Sequence, residues 1–498
     1  MITIHVGPLT VDEVVRVARG GEPVELGADA LAAMAQSRAV IESLAEDPVP
    51  HYGVSTGFGA LATKHIPLEQ RQQLQRSLVR SHAASSGPEV EREVVRATML
   101  LRLSTLATGR TGVRPLVAQA YADLLNSGVT PVIGEYGSLG CSGDLAPLAH
   151  CALAVMGEGE VRVGDHIVDA GTAVANPVVL QEKEGLALIN GTDGMLGMLS
   201  LALHDLDALL TTADLAAALS VEGLAGTDRV FAADLQALRP HPGQATSAAN
   251  MRAVLEGSGA IAAHATAGFT RVQDAYSLRC APQVHGAARD TVAHARLVAE
   301  RELASAIDNP VVTLDGRVES NGNFHGAPVG YVLDFLAIAV ADVASMSERR
   351  TDRFLDKARN GGLNAFLADD PGVDSGHMIA QYTQAAIVSE LKRLAAPASV
   401  DSIPTSAMQE DHVSMGWSAA RKLRRSIDGL QRVLAIEIMT AARGIEMRGE
   451  APAPVSAAVI ARLRDVVPGA GPDRYLAPDI RAAVQLVMDG ALLRASGL

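Results

Sequence analysis

MLGMLSLALHDLDALLTTADLAAALSV, residues 195–221, is the stretch on which the fold turns. Leucine and alanine, strong helix formers, dominate it. Its length would suit a membrane span, but Asp205, Asp207 and Asp214 interrupt the apolar run. A helix buried in a bundle explains that pattern better than a lipid-facing one. Residues 332–346, broken by Asp334 and Asp342, read the same way. Towards the C-terminus the same period predicts helices over 248–255, 295–306, 329–353, 377–394, 418–442, 457–465 and 480–495. The connections carry Gly, Pro and Asp.

The N-terminal part is mixed. Residues 2–6 look strand-like, and helical patterns cover 11–18, 68–82 and 89–107. HYGVSTGFG (51–59) is too glycine-rich for regular structure and reads as a loop. A helix over 145–156 follows a second loop, with Ser142 or Asp144 as its N-cap. Residues 157–179 suggest a small β-hairpin region. The expected architecture is mainly α: a mixed, mostly helical N-terminal domain (1–193) and a long-helix bundle (194–498). Helices this long pack against something, and self-association is a simple way to cover them.

With 498 residues, the chain has ample length for a core. Its hydrophobic share is 48% but its aromatic share only 3%. A formal net charge of −14 argues against a nucleic-acid partner, which would want a basic face. Cys141, Cys151 and Cys280 show no CxxC spacing, so neither a zinc site nor a disulfide framework is expected. MITIHVGPLTVDEV lacks a basic flank followed by an apolar run, so no secretory signal is expected. A cytoplasmic enzyme, with no membrane and no metal, is the plain expectation.

The chemistry lies in the second loop, GSLGCSGDLAPLAH (137–150). If the Gly143 nitrogen attacks the Cys141 carbonyl carbon, a five-membered imidazolone closes. Loss of the Ser142 hydroxyl as water then leaves an exocyclic methylidene, an electrophile that no side chain supplies unaided. Glycine suits the attacking position because it has no Cβ. An amino acid substrate would then need a cation for its carboxylate, and Arg279 in QDAYSLRCAPQVHG offers a bidentate guanidinium. Gln273, Tyr276 and Arg279, spaced three apart, would share a helix face. Tyr52 is a candidate base if charge or hydrogen bonding lowers its pKa from about 10. A packing tyrosine is the equal alternative on the residues alone.

The CSGDLAP block resembles the signature of the aromatic amino acid ammonia-lyases, whose prosthetic group is 4-methylideneimidazol-5-one (MIO). The family usually has Ala in place of Cys141, and only that residue's backbone enters the ring. HYGVSTGFG is similar to the family's tyrosine-bearing loop, which favours Tyr52 for catalysis. Asn190 in GLALINGTDG, and Asn323 and Phe324 in SNGNFHGAP, match pocket positions; alone, each says cap or turn. The resemblance runs from about Tyr52 to Met415. It implies a fumarase/aspartase-like helical fold, an autocatalytic MIO from Cys141, Ser142 and Gly143, no external cofactor, and a homotetramer with sites shared between subunits.

Two places speak to the substrate. Ser81-His82-Ala83-Ala84 and Glu410-Asp411-His412 resemble the histidine-acting branch of the family, rather than the phenylalanine or tyrosine branches. An imidazole has two ring nitrogens, and His82 and Glu410 would take one each. The branch implies conversion of L-histidine to trans-urocanate and ammonia, the opening step of histidine degradation. Tyr52, Ser142, Asn190 and Tyr276 would be catalytic. His82, Asn190, Gln273, Arg279, Asn323, Phe324 and Glu410 would bind substrate. The alternatives are a tyrosine or phenylalanine ammonia-lyase, an MIO-dependent aminomutase, and a structural protein on the same scaffold. Ser142 lies outside any GxSxG elbow, which dismisses a hydrolase. Whether the substrate amine or its ring attacks the electrophile stays open.

Overall fold

A computed structural model of the chain describes residues 1–45, 47, 49–57, 59–265 and 272–498. They group into two compact units. The first comprises Met1–His204, Ala295–Asp334 and Pro397–Arg421; the second comprises Asp205–His294, Phe335–Ala396 and Lys422–Leu498. The expected cut at 193/194 would give two contiguous segments, whereas the observed units interleave. Helices Asp193–Gly223, Ala281–Leu303, Ala327–Leu355 and Gly416–Arg448 each run through a unit boundary. Asn323, Phe324 and Glu410 therefore belong to the unit that holds the Cys141-Ser142-Gly143 tripeptide.

In the first unit, Val11–Ala18 starts at a capping box. Thr10 Oγ1 accepts from the Glu13 N–H and Glu13 accepts from the Thr10 N–H, meeting two donors that the helix cannot. Helix Arg92–Ala107 is buried almost throughout, with Val94, Met99, Leu100, Leu103 and Leu106 fully enclosed. Each such side chain contributes roughly 1.5–3 kcal/mol by leaving water. It begins later than its apolar pattern suggests, because Ser86–Glu89 pairs antiparallel with Gly134–Tyr136 instead. The hairpin expected within 157–179 is present as Glu160–Val163 against His166–Asp169, with Thr130–Pro131 added alongside Glu160–Val163.

Besides two four-residue helices, Ala170–Ala173 and Glu184–Ala187, this unit holds two longer helices that the apolar sequence pattern does not announce. Pro115–Ser127 carried recognisable punctuation, Pro at its start and Gly128 at φ 76 beyond its end. Ala28–Ala45 hides better, because its buried face mixes Ala30, Met34 and Ile41 with Ser37 and Arg38. Arg38 is held by the Glu182 carbonyl and by Gln181 and Glu42 side chains, so a charge sits where an apolar residue would mark the stripe.

The second unit is helical, and its interior joins close packing to paired charge. Gly223 and Gly444 lie against the Phe354 ring, where an added Cβ would come within 2.8 and 2.5 Å of ring carbons. Arg350 and Glu437 are fully buried and paired in a fork at 2.5 and 2.9 Å, and Ser220 donates to the same carboxylate. Ala327–Leu355 is long and apolar enough to cross a membrane, but 61% of its apolar window is buried in the protein.

Candidate active site

The tripeptide sits in a loop whose backbone is fixed from two directions. Asp144 occupies the N-cap position of helix Leu145–Val155, but its side chain makes no capping bond there. Its carboxylate instead accepts from Ser138 Oγ at 2.7 Å and from the Met195 N–H at 2.9 Å. Burial pushes this carboxyl up to about 7 against those hydrogen bonds. The Asp144 N–H donates to the Gly191 carbonyl at 2.7 Å. Just before it, Gly143 stands at φ 78, and a Cβ there would lie 2.1 Å from the Gly191 oxygen. On the other side, the Gly140 carbonyl accepts from Ser414 Oγ at 2.7 Å and the Gly326 N–H at 3.0 Å.

Glu410 closes the loop through side chains. Ser142 Oγ donates to Glu410 Oε1 at 2.8 Å, Cys141 Sγ to Oε2 at 3.1 Å, and Thr405 Oγ1 to Oε2 at 3.0 Å. Glu410 is expected to serve a substrate ring; in this structure both its oxygens already serve the tripeptide and its support. Burial, and next the Glu410 carboxylate, push the Cys141 thiol up to about 12. Glu410 is presented by a tight reversal in which Thr405 and Glu410 exchange backbone hydrogen bonds at 3.0 and 3.3 Å. Ser406, Ala407 and Met408 within it have φ values of 53, 53 and 70. Three successive non-glycine residues in the left-handed region cost about 1–2 kcal/mol each, so the surroundings hold this turn against its own preference.

Tyr52 lies in its expected loop, of which Phe58 falls outside the described residues. Its hydroxyl accepts from the Gly59 N–H at 3.4 Å. The expectation of a lowered pKa fails in this state. Burial and the Asp308 and Glu410 carboxylates raise it, and only the Gly59 hydrogen bond pulls it down. Asp308 is itself fully buried with Lys183, their charged atoms 2.5 Å apart. Burial raises the Asp308 pKa and lowers that of Lys183, while their mutual attraction opposes both. Gly53 packs against Pro310 and Leu186, which tethers the tyrosine loop beside this pair.

Asn190 is buried, and its Oδ1 has no hydrogen-bond partner. Its backbone carbonyl accepts from the buried Arg102 guanidinium, which also pairs with Asp193 at 3.0 Å. His82 ends helix Arg71–His82, with Nδ1 2.9 Å from the Leu78 carbonyl. That hydrogen bond assigns the proton to Nδ1 and leaves Nε2 as an acceptor. Asn323 is exposed and Phe324 half-buried, in a loop tied back by Asn321 to the Asp308 carbonyl at 2.9 Å.

Gln273, Tyr276 and Arg279 form their own cluster in the second unit. Arg279 Nη2 donates to Gln273 Oε1 at 3.0 Å, and its guanidinium stands 4.6 Å from the Tyr276 ring centroid. The grouping agrees with expectation, but a shared helix face does not cause it. The helix is only Tyr276–Arg279, and Gln273 precedes it. Thr405, Lys183 and Asp308 escaped the sequence reading. Lys183 stands in the charged run QEKEG, which reads as solvated surface. Among the described residues, no group of three or more potential metal ligands occurs.

Residues 9–465 match the family model described as aromatic amino acid lyase. The chain is 66% identical to a histidine ammonia-lyase of Streptomyces avermitilis, covering 100% of this chain and 98% of that protein. Among solved structures it is similar to a tyrosine aminomutase of Streptomyces globisporus (TM-score 0.94, 38% identity, 100% and 98% coverage). It is also similar to the histidine ammonia-lyase of Trypanosoma cruzi (TM-score 0.91, 37% identity, 100% and 95% coverage). With the glycine-bound tripeptide, the tyrosine loop and the whole-chain match in hand, the chain belongs to the aromatic amino acid lyase family.

Proposed function

We propose that this chain catalyses the non-oxidative deamination of L-histidine to trans-urocanate and ammonia. The observation that carries the substrate assignment is the 66% identity, over the whole chain, to a protein named histidine ammonia-lyase. His82 and Glu410 support it, since both present acceptors and together suit a ring whose nitrogens carry N–H donors.

The residues present fit an MIO group made from Cys141, Ser142 and Gly143. Gly143 stands where a Cβ would meet the Gly191 backbone, so the position requires a bare amide. The unpartnered Oδ1 of Asn190 is a buried acceptor available to a substrate amine rather than to the ring, and burial without a donor is costly. Cys141 contributes only backbone to such a ring, so its departure from alanine is no obstacle. Once formed, the group supplies an electrophile that makes the substrate amine a better leaving group.

The chain's own residues do the rest. Arg279, steadied by Gln273 and Tyr276, holds the substrate carboxylate. His82 Nε2 accepts from the imidazole N–H and Glu410 takes the opposite side of the ring. Tyr52 removes the β-proton. Its raised pKa keeps it a phenol in the empty site; a bound ammonium offsets Asp308 and Glu410 and favours the phenolate. Asn190 Oδ1 accepts from the amine. A cytoplasmic homotetramer with sites shared between subunits is part of this reading. Ile379 and Tyr382, exposed three apart on helix Met378–Leu394, support self-association.

The test is to incubate the purified protein separately with L-histidine, L-tyrosine and L-phenylalanine, following ammonia and the absorbance of the conjugated acid, with Ser142→Ala as control. Urocanate from histidine alone, lost in the variant, is the expected result. Coumarate or cinnamate would instead keep the chemistry and overturn the substrate, and a β-amino acid would make the chain an aminomutase.

A further inference from the structure

We infer that Glu410 is the proton donor for maturation of the tripeptide, acting on Ser142 before it ever meets substrate. The inference rests on the reading above that Cys141, Ser142 and Gly143 become an electrophile, and it assigns the group that drives the final step.

Hydroxide is a poor leaving group, so the Ser142 Cβ–Oγ bond breaks readily only if Oγ receives a proton as it goes. The acid must lie within hydrogen-bond reach, and Glu410 Oε1 lies 2.8 Å from Ser142 Oγ. The neighbouring candidates are less suited. The Asp144 carboxylate is turned to Ser138 and Met195. The Cys141 thiol, pushed up to about 12, gives up its proton too reluctantly and itself donates to Glu410 Oε2. Thr405 Oγ1 and the strained Ser406–Met408 turn hold the Glu410 carboxyl in place. Holding a carboxyl by three side-chain contacts, at the expense of a left-handed turn, is what a fixed acid requires.

After Gly143 N has bonded to the Cys141 carbonyl carbon, with loss of that oxygen as water, the Ser142 Cα–H proton passes to solvent water. Its electron pair forms the Cα=Cβ bond. The Cβ–Oγ bond breaks as Glu410, having taken up a proton from solvent, passes it to Oγ, which departs as a second water. The proton that Glu410 relays replaces the one given up at Cα and the carboxylate is regenerated, so no other reactant is consumed. The step also clears Glu410 for its later use. With Oγ gone, Oε1 loses its partner and becomes free for a substrate ring.

The experiment is mass spectrometry of the peptide containing Cys141–Gly143, from full-length wild type, Glu410→Gln and Glu410→Asp. Only protein eluting at the wild-type position in gel filtration is analysed, which excludes misfolded material. Wild type is expected to lack the mass of two waters. Glu410→Gln keeps the hydrogen bond but not the acid, so its second loss should slow by about 100-fold or more; Glu410→Asp should recover part of the rate. Full loss of two waters from Glu410→Gln at the wild-type rate would overturn the inference while sparing the function. Retention of both waters by wild type would overturn the proposed chemistry itself.

Discussion

Gly143 and Gly191 meet backbone to backbone: a Cβ on Gly143 would stand 2.1 Å from the Gly191 carbonyl oxygen. The contact is locked by the Asp144 N–H donating to that same oxygen. Behind Gly191 the space is closed too, with Arg102 Nη2 2.3 Å from where its Cβ would be. Neither side can yield without disturbing the buried Arg102–Asp193 pair.

Gly143→Ala is therefore expected to destabilise the protein by about 2–5 kcal/mol, combining a left-handed alanine with overpacking. It should also block ring closure, since the amide that must attack is displaced. Urea denaturation and peptide mass check the two effects separately. A variant as stable as wild type that still loses two waters would contradict the account.

The Lys183–Asp308 pair supplies a second test. Both side chains are fully buried, so removing one partner strands the other charge. Lys183→Met should cost about 3–5 kcal/mol, and the double change Lys183→Met with Asp308→Leu considerably less. Chemical denaturation of the four species in a double-mutant cycle measures the coupling. Additive effects would show that the pair is no unit.

These two cases mark what was legible in the chain. Glycine positions in 137–143 could be read, because glycine serves for few backbone reasons. The loop around Tyr52 was legible likewise. A buried charge was not, because its burial depends on a partner far away in sequence; Lys183 and Asp308 are 125 residues apart. Helix extents failed for the same reason. Ala281–Leu303 was read only from residue 295, since His285 and Arg289 break its apolar stripe. Both in fact face the buried Asp214 carboxylate, at 2.8 and 2.6 Å. The expected cut at 193/194 differs from the two interleaved units because long helices run through both, and periodicity says nothing of where a helix changes neighbours.

His377 predicts how the fold responds to acid. It is buried against Thr440 Oγ1 at 3.0 Å, and burial, reinforced by Arg443, Arg474 and Arg464, lowers its pKa from 6.5 to about 3. The unfolded chain takes up a proton below its ordinary pKa and the folded chain does not. Stability present above pH 6.5 is thus lost as pH falls towards 3, by about 1.4 kcal/mol per unit at most. Calorimetry of wild type and His377→Asn across that interval is the check. The variant's Tm should fall less steeply, and parallel curves would remove His377 as the cause.

Tyr52 predicts the pH dependence of catalysis. With burial, Asp308 and Glu410 raising its pKa, kcat/KM should climb with pH on its acid limb. Asp308→Asn removes one negative charge that acts on Tyr52, and this favours the phenolate. The limb should then move to lower pH. An unmoved limb in a folded Asp308→Asn variant would mean that Tyr52 does not set it.

The proposed contact between His82 and the substrate ring predicts specificity. The Leu78 carbonyl accepts from Nδ1–H at 2.9 Å, which leaves Nε2 as the acceptor that the proposed site would use. An acceptor there rewards a substrate ring that carries an N–H and offers nothing to a phenyl ring. His82→Leu removes the acceptor while keeping bulk. The loss for L-histidine should be that of a hydrogen bond to a charged or polar partner, about 1.5–3 kcal/mol, or roughly 10- to 150-fold in kcat/KM. L-Phenylalanine, which leaves Nε2 unpaired in the wild-type pocket, should gain in relative terms because that buried mismatch disappears. Measuring kcat/KM for both substrates on both proteins gives the specificity ratio directly. A ratio unchanged by the substitution would place His82 outside the pocket and return it to its helix-terminal role on Leu78.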